Sequence, residues 1–253
     1  MMSDFIPISI KNTFNFSCND DLACFNQCCR DLNQFLTPYD ILRIKKNLDM
    51  PSDIFLGKYT TEHYGPETGL PVISLKADSD DGLKCPFVTS TGCRIYKDRP
   101  SSCRMYPLAR GLARSRETGI LTEHYMILKE DHCKGFRNGQ TRTVEQWIAD
   151  QGIAVYNRMN DMLLEIISMK NRLMPGPLDI KSRLTFHTAC YNLDIFRKHI
   201  FENGIMDHLD LNPETLESVK SDDTMLLELG LQWIKYNLFG DRNSTAFQGT
   251  GRK

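Results

Sequence analysis

The sequence predicts a predominantly helical α+β fold, in which an irregular, cysteine-rich N-terminal half with short strands precedes an α-helical C-terminal half. Eight of the nine cysteines lie before residue 134, in segments whose glycine, proline and serine content favours turns over long elements. Beyond residue 140, apolar residues recur at helical spacing. We therefore expect one domain over residues 1–140, a helical domain over residues 141–240 and a small, polar, disordered tail over residues 241–253.

The first half is expected to consist of short elements. Thr37 can cap a helix whose first residue is Pro38, and Asp40 can bond back to the cap. One helical turn between Cys24 and Cys28 would place both sulfurs on the same face, because residues four apart are neighbours on a helix. The remaining expectations, in chain order, are an extended or irregular start (1–17), a short helix from Pro51, a loop (62–68), strands (70–76 and 120–128), a hairpin around residues 90–92 and a helical turn near residues 99–104.

The second half is expected to be a series of helices. Thr143 and Gln146 form a capping-box pattern at the start of a long helix, in which Gly152 predicts a kink. Gly240 is placed to end the last helix. The predicted helices cover residues 143–173, 183–193, 194–202, 213–219 and 222–239.

The balance of charge gives no overall argument for a nucleic-acid partner, because 31 Lys and Arg residues face 32 Asp and Glu residues and the net charge is −1. No apolar stretch approaches the ~20 residues that a membrane-spanning helix requires. The start of the sequence lacks the basic region and the long apolar run of a signal peptide, so we expect a cytoplasmic location. In a reducing cytosol, clustered cysteines indicate metal, iron–sulfur or redox chemistry more often than disulfides.

The cysteines before residue 134 are the candidate metal ligands of the N-terminal half. Zinc-type C-x2-C pairs and ferredoxin-type cysteine runs are both absent from the sequence. Because neighbouring side chains diverge, Cys28 and Cys29 serve two nearby centres more easily than one. Disulfides or buried free thiols are the alternative, His132 is a weaker ligand candidate, and Cys190 is expected in the helical core. The eight candidates, enough for two four-thiolate sites, are Cys18, Cys24, Cys28, Cys29, Cys85, Cys93, Cys103 and Cys133.

A basic strip accompanies these cysteines. Seven Lys and Arg residues lie between residues 85 and 116, and Asp98 alone opposes them. Arg99 and Arg104 flank cysteines in sequence, so we expect them to support a bound cofactor by stabilising thiolate charge. The strip could instead receive an anionic ligand or form a solvated face, and the arginines from Arg110 onward are expected at the surface.

The joint motif pattern over about residues 16–136 resembles the YkgJ-type cysteine-cluster family. The motifs are Cys18-x5-Cys24-x3-Cys28-Cys29, Cys85-Pro-Phe, Gly92-Cys93-Arg-Ile-Tyr and Arg99-Pro100-x2-Cys103-Arg104-x-Tyr106-Pro107. The resemblance implies a zinc- or iron-chelating CxxCxxCC domain. The spacings of the first motif are wider than that family's and are similar to those of the flagellin lysine N-methylase branch. That similarity implies a 4Fe–4S cluster and raises methyl transfer to protein lysine.

The sequence therefore predicts a protein with one or two iron–sulfur clusters that serves electron transfer or cluster-supported chemistry. A structural zinc-binding interaction module and an S-adenosylmethionine-dependent protein lysine N-methylase are the alternatives. The sequence does not decide whether the protein is an enzyme, either an oxidoreductase or a protein lysine methyltransferase. A protein partner or protein substrate is expected, without nucleic acid and without a membrane span.

Overall fold

The computed structural model describes residues 3–31, 33–66, 68–115, 117–137, 139–207 and 211–241. The predicted tail over residues 241–253 lies outside this part of the chain except for Asp241. The described strands are β1 (Ser3–Ile8), β2 (Thr13–Phe16), β3 (Phe35–Leu36), β4 (Thr60–Tyr64), β5 (Pro71–Leu75), β6 (Val88–Thr89), β7 (Gly92–Cys93), β8 (Leu108–Arg114), β9 (Leu121–Glu130) and β10 (Gln140–Thr143). The described α-helices are α1 (Pro38–Asn47), α2 (Ser52–Tyr59), α3 (Ser101–Met105), α4 (Val144–Asp150), α5 (Ala154–Leu173), α6 (Ile180–Cys190), α7 (Leu193–Phe201), α8 (Pro213–Ser221) and α9 (Asp223–Phe239).

The fold class is α+β, with helices predominating over small antiparallel sheets, as the sequence predicts. Contacts divide the described chain into two compact units, each built from two separate stretches. The first unit comprises Met1–Gln34 and Ala77–Val155, and the second comprises Phe35–Lys76 and Tyr156–Lys253. The predicted division has a single boundary before the tail, at residue 140. The domains on either side of that boundary stay a prediction.

The first unit has an aromatic core centred on Phe16. Its ring meets the Trp147 ring edge-to-face, with 5.7 Å between centroids, and Trp147 Nε1 donates to the Met105 carbonyl at 3.1 Å. The buried indole is therefore both packed and hydrogen-bonded. The β1-β9-β8 sheet and the β2-β10 pair supply side chains to this core or pack against it, and the first unit also contains the β6-β7 hairpin. Cys133 packs against the same core, which places the last of the cysteine-bearing segments on it.

The second unit combines the β3-β5-β4 sheet with a group of helices. Ile44, Phe55, Phe196 and Leu227 are fully buried and form part of its apolar interior. Gly230 allows α9 to approach α6 closely, because a Cβ at this position would collide with the Ala189 carbonyl. The close distance between α6 and α9 therefore depends on glycine at position 230.

Local sequence signals predicted several helix ends correctly. Thr37 and Thr143 both form complete capping boxes, with Asp40 and Gln146 respectively. Gly240 ends α9 in the left-handed conformation with φ 67°. The predicted strands correspond to β5 and β9, the hairpin to β6-β7, and the helical turn to α3.

Other expectations were wrong, one at a glycine that interrupts a helix and two where strand pairing decides the structure. Gly152, with φ 60°, ends the first helix, so the predicted long helix is two helices, α4 and α5. Residues 60–64, mostly inside the predicted loop, form β4 because they pair with β5. Arg110 lies in the unexpected strand β8, where its side chain is only 8% exposed and bonds Glu123 at 2.6 Å, instead of lying at the surface.

Candidate metal centre

The first two cysteine-bearing segments are joined by backbone hydrogen bonds. The Cys85 N–H donates to the Cys29 carbonyl at 2.9 Å, and the Asp31 N–H donates to the Leu83 carbonyl at 3.1 Å. The Asn26 side-chain amide donates to the Thr89 carbonyl at 3.0 Å. These bonds bring the segment of Cys18 to Cys29 against the segment that begins at Cys85, although more than fifty residues separate them in sequence.

The third segment, around Cys133, meets the first one. The Lys134 N–H donates to Cys24 Sγ at 3.2 Å, and the Ser17 N–H donates to the Gly135 carbonyl at 3.0 Å. Gly135 is required here, since a Cβ would lie 2.7 Å from the Ser17 carbonyl oxygen. The chain therefore closes on itself at the cysteines, as the candidate ligand set requires.

The sulfurs of the three segments are close enough for their charges to interact. Desolvation, followed by the charges of Cys28, Cys133 and Cys24, raises the pKa of Cys18 to about 11 against an opposing effect of Arg99. The pKa of Cys85 is likewise raised, mainly by burial and also by the charges of Cys93 and Cys28. Crowded thiolates of this kind oppose one another's ionisation unless a cation neutralises them.

Cys28 and Cys29 form a hydrogen-bonded pair. The Cys29 thiol donates to Cys28, and this bond lowers the pKa of Cys28 to about 7. The same bond raises the pKa of Cys29, with further contributions from burial and from the neighbouring thiolates. Asn26 has φ 65° and precedes a 3-10 helix over Gln27–Cys29, so the expected regular helical turn from Cys24 to Cys28 is wrong. A bent backbone instead brings the adjacent thiols together.

Arg99 and Arg104 are held by the protein itself. Arg99 is buried, stacks on the Tyr96 ring at 3.9 Å and donates to the Tyr96 carbonyl at 2.6 Å. Both guanidinium groups also donate to Gln151: Arg99 bonds the side-chain oxygen of Gln151, and Arg104 bonds the backbone carbonyl of Gln151. The charge of Arg99 opposes the rise in the pKa of Cys18. The predicted role of these two arginines at a cofactor stays a prediction.

Residues outside the predicted ligand set also border the site. Cys103 Sγ donates to Gln34 Oε1 at 3.4 Å, and Gln34 in turn donates to Ser102 Oγ at 2.6 Å. The buried Tyr106 hydroxyl lies beside Cys133, but it has no hydrogen-bond partner of normal geometry among the described residues. The position of Tyr106 in the C-R-x-Y-P motif was a signal for it, whereas nothing in the sequence singles out Gln34.

His132 has the arrangement of a supported imidazole. Its Nε2 lies 3.8 Å from Glu130 Oε2, and its buried Nδ1 has no hydrogen-bond partner in the described part of the chain. A carboxylate near one ring nitrogen is the usual support of a histidine that uses the other nitrogen as a ligand. The structure thus keeps His132 as a candidate beside Cys133.

Comparison with known proteins adds one finding. Residues 17–134 match the family model described as "CxxCxxCC: Putative zinc- or iron-chelating domain". This part of the chain is similar to that family. No curated protein and no solved structure matches the chain.

The donor chemistry of residues 17–134 fits a soft metal or an iron–sulfur cluster. Thiolates select zinc and iron–sulfur clusters over hard cations, and all eight cysteines of this segment are free thiols. Within the described ranges, no three Cys, His, Asp or Glu side chains are arranged as ligands of one ion. The fit is therefore one of donor type, charge and proximity, and the assignment of ligands stays a prediction.

The described helices include none that is both long and apolar enough to cross a membrane.

Proposed function

We propose that the CxxCxxCC domain binds one or two cysteine-ligated iron–sulfur clusters, of the 4Fe–4S type, and uses them for electron transfer or cluster-supported chemistry. The observation that carries the proposal is the convergence of three separated segments, through the Cys85–Cys29 backbone bond and the Lys134–Cys24 bond. Convergence of soft donors is what a cluster requires of a chain. The bound cluster would supply a reversible one-electron couple.

The chain's own residues would hold and tune this site. The proposed ligands are drawn from the eight cysteines before residue 134. Arg99 would offset thiolate charge, because it is buried and acts on Cys18. The Lys134 N–H would stabilise the sulfur of Cys24, since hydrogen bonds to cysteine sulfurs adjust the potential of a cluster.

The metal content of the full chain tests the proposal. We expect protein purified without oxygen to be brown, to lose visible absorbance on reduction with dithionite, and to contain iron and acid-labile sulfide in equal amounts. Electron paramagnetic resonance of the reduced protein should show a cluster signal. A colourless protein without iron would contradict the proposal.

Two alanine variants separate ligation from general cysteine loss. Cys29→Ala removes a thiol of the converged set, and we expect metal affinity to fall roughly ten-fold or more. Cys190→Ala removes a thiol that is buried in the second unit, and we expect iron content to be unchanged. Equal iron loss in both variants would argue against the converged cysteines as ligands.

A structural zinc site is the second candidate, because the family description covers zinc as well as iron. The unpartnered Nδ1 of His132 favours this candidate, since mixed cysteine and histidine sets are usual for zinc. It predicts a colourless protein that contains zinc. Zinc loss in His132→Ala, with iron absent throughout, would support zinc over the cluster.

A further inference from the structure

Gln34 is a buried amide that contacts a candidate metal ligand. The residue is only 7% exposed, and its Oε1 accepts a hydrogen bond from Cys103 Sγ at 3.4 Å. Its Nε2 donates to the Ser102 hydroxyl at 2.6 Å. Ser102 and Cys103 both lie in α3, 68 and 69 residues from Gln34 along the chain. One side chain from a distant segment therefore bridges two adjacent residues of this helix.

Cys103 lies among the converged cysteines. The pKa of Cys29 is raised mainly by its hydrogen bond with Cys28, then by burial, and also by the charges of Cys85 and Cys103. Cys103 must be near Cys29 for its charge to act in this way, because solvent screens distant charges. The sulfur that Gln34 contacts is therefore a neighbour of the other candidate ligands.

The direction of the bond between Cys103 and Gln34 depends on whether the sulfur carries a hydrogen. A thiol can donate to the amide oxygen, as it does in this structure. A metal ligand is a thiolate, which has no hydrogen to donate and would face the lone pairs of Oε1. The amide nitrogen of glutamine, by contrast, can donate to a thiolate. Metal ligation by Cys103 therefore favours the opposite orientation of the Gln34 amide.

The contact with Ser102 suits that opposite orientation. The terminal torsion of glutamine is roughly two-fold, so a half-turn exchanges Oε1 with Nε2 and leaves the rest of the side chain in place. The Ser102 hydroxyl can donate as well as accept, so its bond to Gln34 persists after the exchange. The 2.6 Å separation is below the ~2.7–3.2 Å of an N–H···O bond and within the ~2.5–3.0 Å of an O–H···O bond. The distance thus fits the turned amide better than the present one.

We propose that Gln34 is a positioning residue of the metal site, whose amide turns when Cys103 binds metal, so that Nε2 donates to the ligating sulfur and Oε1 accepts from Ser102. This hydrogen bond stabilises the bound thiolate and fixes its direction, as partners outside the ligand set do at other metal sites. The inference rests on the metal binding proposed above, but it holds for zinc and for an iron–sulfur cluster alike.

The full chain loaded with Cd²⁺, a soft ion that suits thiolate ligands, gives a direct test. With an NMR-active cadmium isotope, an N–H group that donates to a ligating sulfur shows scalar coupling to the metal. We expect this coupling at the side-chain amide protons of Gln34. The Lys134 N–H, which donates to Cys24 Sγ at 3.2 Å, is the backbone reference in the same spectrum. Absent coupling at Gln34 in the loaded protein overturns the inference alone, whereas a protein that binds no Cd²⁺ contradicts the proposed metal site as well.

Substitutions of Gln34 measure what the hydrogen bond contributes. Gln34→Met lacks the amide and should weaken Cd²⁺ binding about ten-fold, and Gln34→Glu, whose carboxylate would face the thiolate, should weaken it at least as much. Gln146→Glu is the matched control, because a glutamate there still accepts the capping-box bond from the Thr143 N–H; it should leave Cd²⁺ binding unchanged. Wild-type affinity in Gln34→Met, or an equal loss in Gln146→Glu, overturns the inference. The coupling measurement uses the unsubstituted chain, so it does not depend on the folding of any variant.

Discussion

Lys45 is a buried cation whose charge is balanced by two aspartates of the same unit. Its side chain is 7% exposed, and its Nζ lies 3.1 Å from Asp194 and 3.2 Å from Asp223. Ser52 adds two hydrogen bonds to Asp194, and Arg197 bonds Asp223. Removing one member of such a group leaves buried charge uncompensated, which costs more than the intact group contributes.

Replacement of Lys45 by methionine should therefore destabilise the protein by about 3 kcal/mol, because the two aspartates lose one of the two cations that they share and keep Arg197. Urea unfolding followed by circular dichroism measures the change. Lys220→Met is the matched control, since Lys220 is 54% exposed and pairs with the exposed Glu217; it should change stability by less than about 1 kcal/mol. Similar losses in both variants would contradict the argument.

The same aspartates should make stability depend on pH. Burial raises the pKa of Asp194, but hydrogen bonds from Ser52 and the charge of Lys45 outweigh it, so the pKa lies below its usual value. For Asp223, burial is likewise outweighed by the hydrogen bond from Arg197 and the charge of Lys45. Groups with a lowered pKa in the folded state stabilise it above ~3.9, the unfolded value, and this contribution disappears as pH falls through the folded pKa.

We therefore expect the stability difference between wild type and Lys45→Met to be largest near neutral pH and to shrink as pH falls below about 4. Urea midpoints at a series of pH values measure it. The Lys220→Met difference should stay small throughout the series. A constant gap between wild type and Lys45→Met would show that the aspartates do not act through Lys45.

At the scale of elements, what the sequence could predict was local. Thr37 and Thr143 identified helix starts because a cap needs only residues three positions away. Strand β8 was missed because its stability comes from pairing with β9, in which Arg110 lies opposite Tyr125. No local pattern in the sequence explained Gly230, because the atom that a side chain would meet there belongs to another helix. That atom is the Ala189 carbonyl oxygen.

Gly230→Ala should destabilise the second unit. The added Cβ would meet the Ala189 carbonyl and lie 3.2 Å from the Phe196 ring, so α6 and α9 must separate. We expect a loss of about 1–2 kcal/mol, because overpacking outweighs the gain in helix propensity. Gly57→Ala is the control, since a Cβ on this α2 residue has no atom within 4 Å; it should raise stability by about 0.5–1 kcal/mol. Thermal unfolding compares the variants, and a stabilised Gly230→Ala would refute the close-packing argument.

At the scale of the whole molecule, the cysteine motifs could be recognised in the sequence. The residues that the fold brings together with them could not be predicted. The motifs predicted a resemblance to the CxxCxxCC family, and the match of residues 17–134 to that family model confirms the resemblance. The grouping of Phe35–Lys76 with residues after Tyr156 could not be read, because it arises from contacts such as those of β5 within the second unit. Gln34 beside Cys103 escaped prediction for the same reason.

The two units should respond differently to metal removal. Among residues 77–107 the longest regular element is α3, with five residues, so little regular secondary structure holds this segment without a bound metal. The helices of the second unit instead enclose fully buried side chains such as Ile44 and Leu227.

Because metal binding and folding are coupled in small metal domains, a chelator should speed amide exchange in residues 17–31 and 77–107 by about ten-fold or more, and leave α9 unchanged. Hydrogen exchange with mass spectrometry on anaerobic protein measures both regions in one sample. Unchanged exchange at the cysteine-bearing segments, after metal analysis has shown that the metal is gone, would mean that protein contacts alone hold the three segments together.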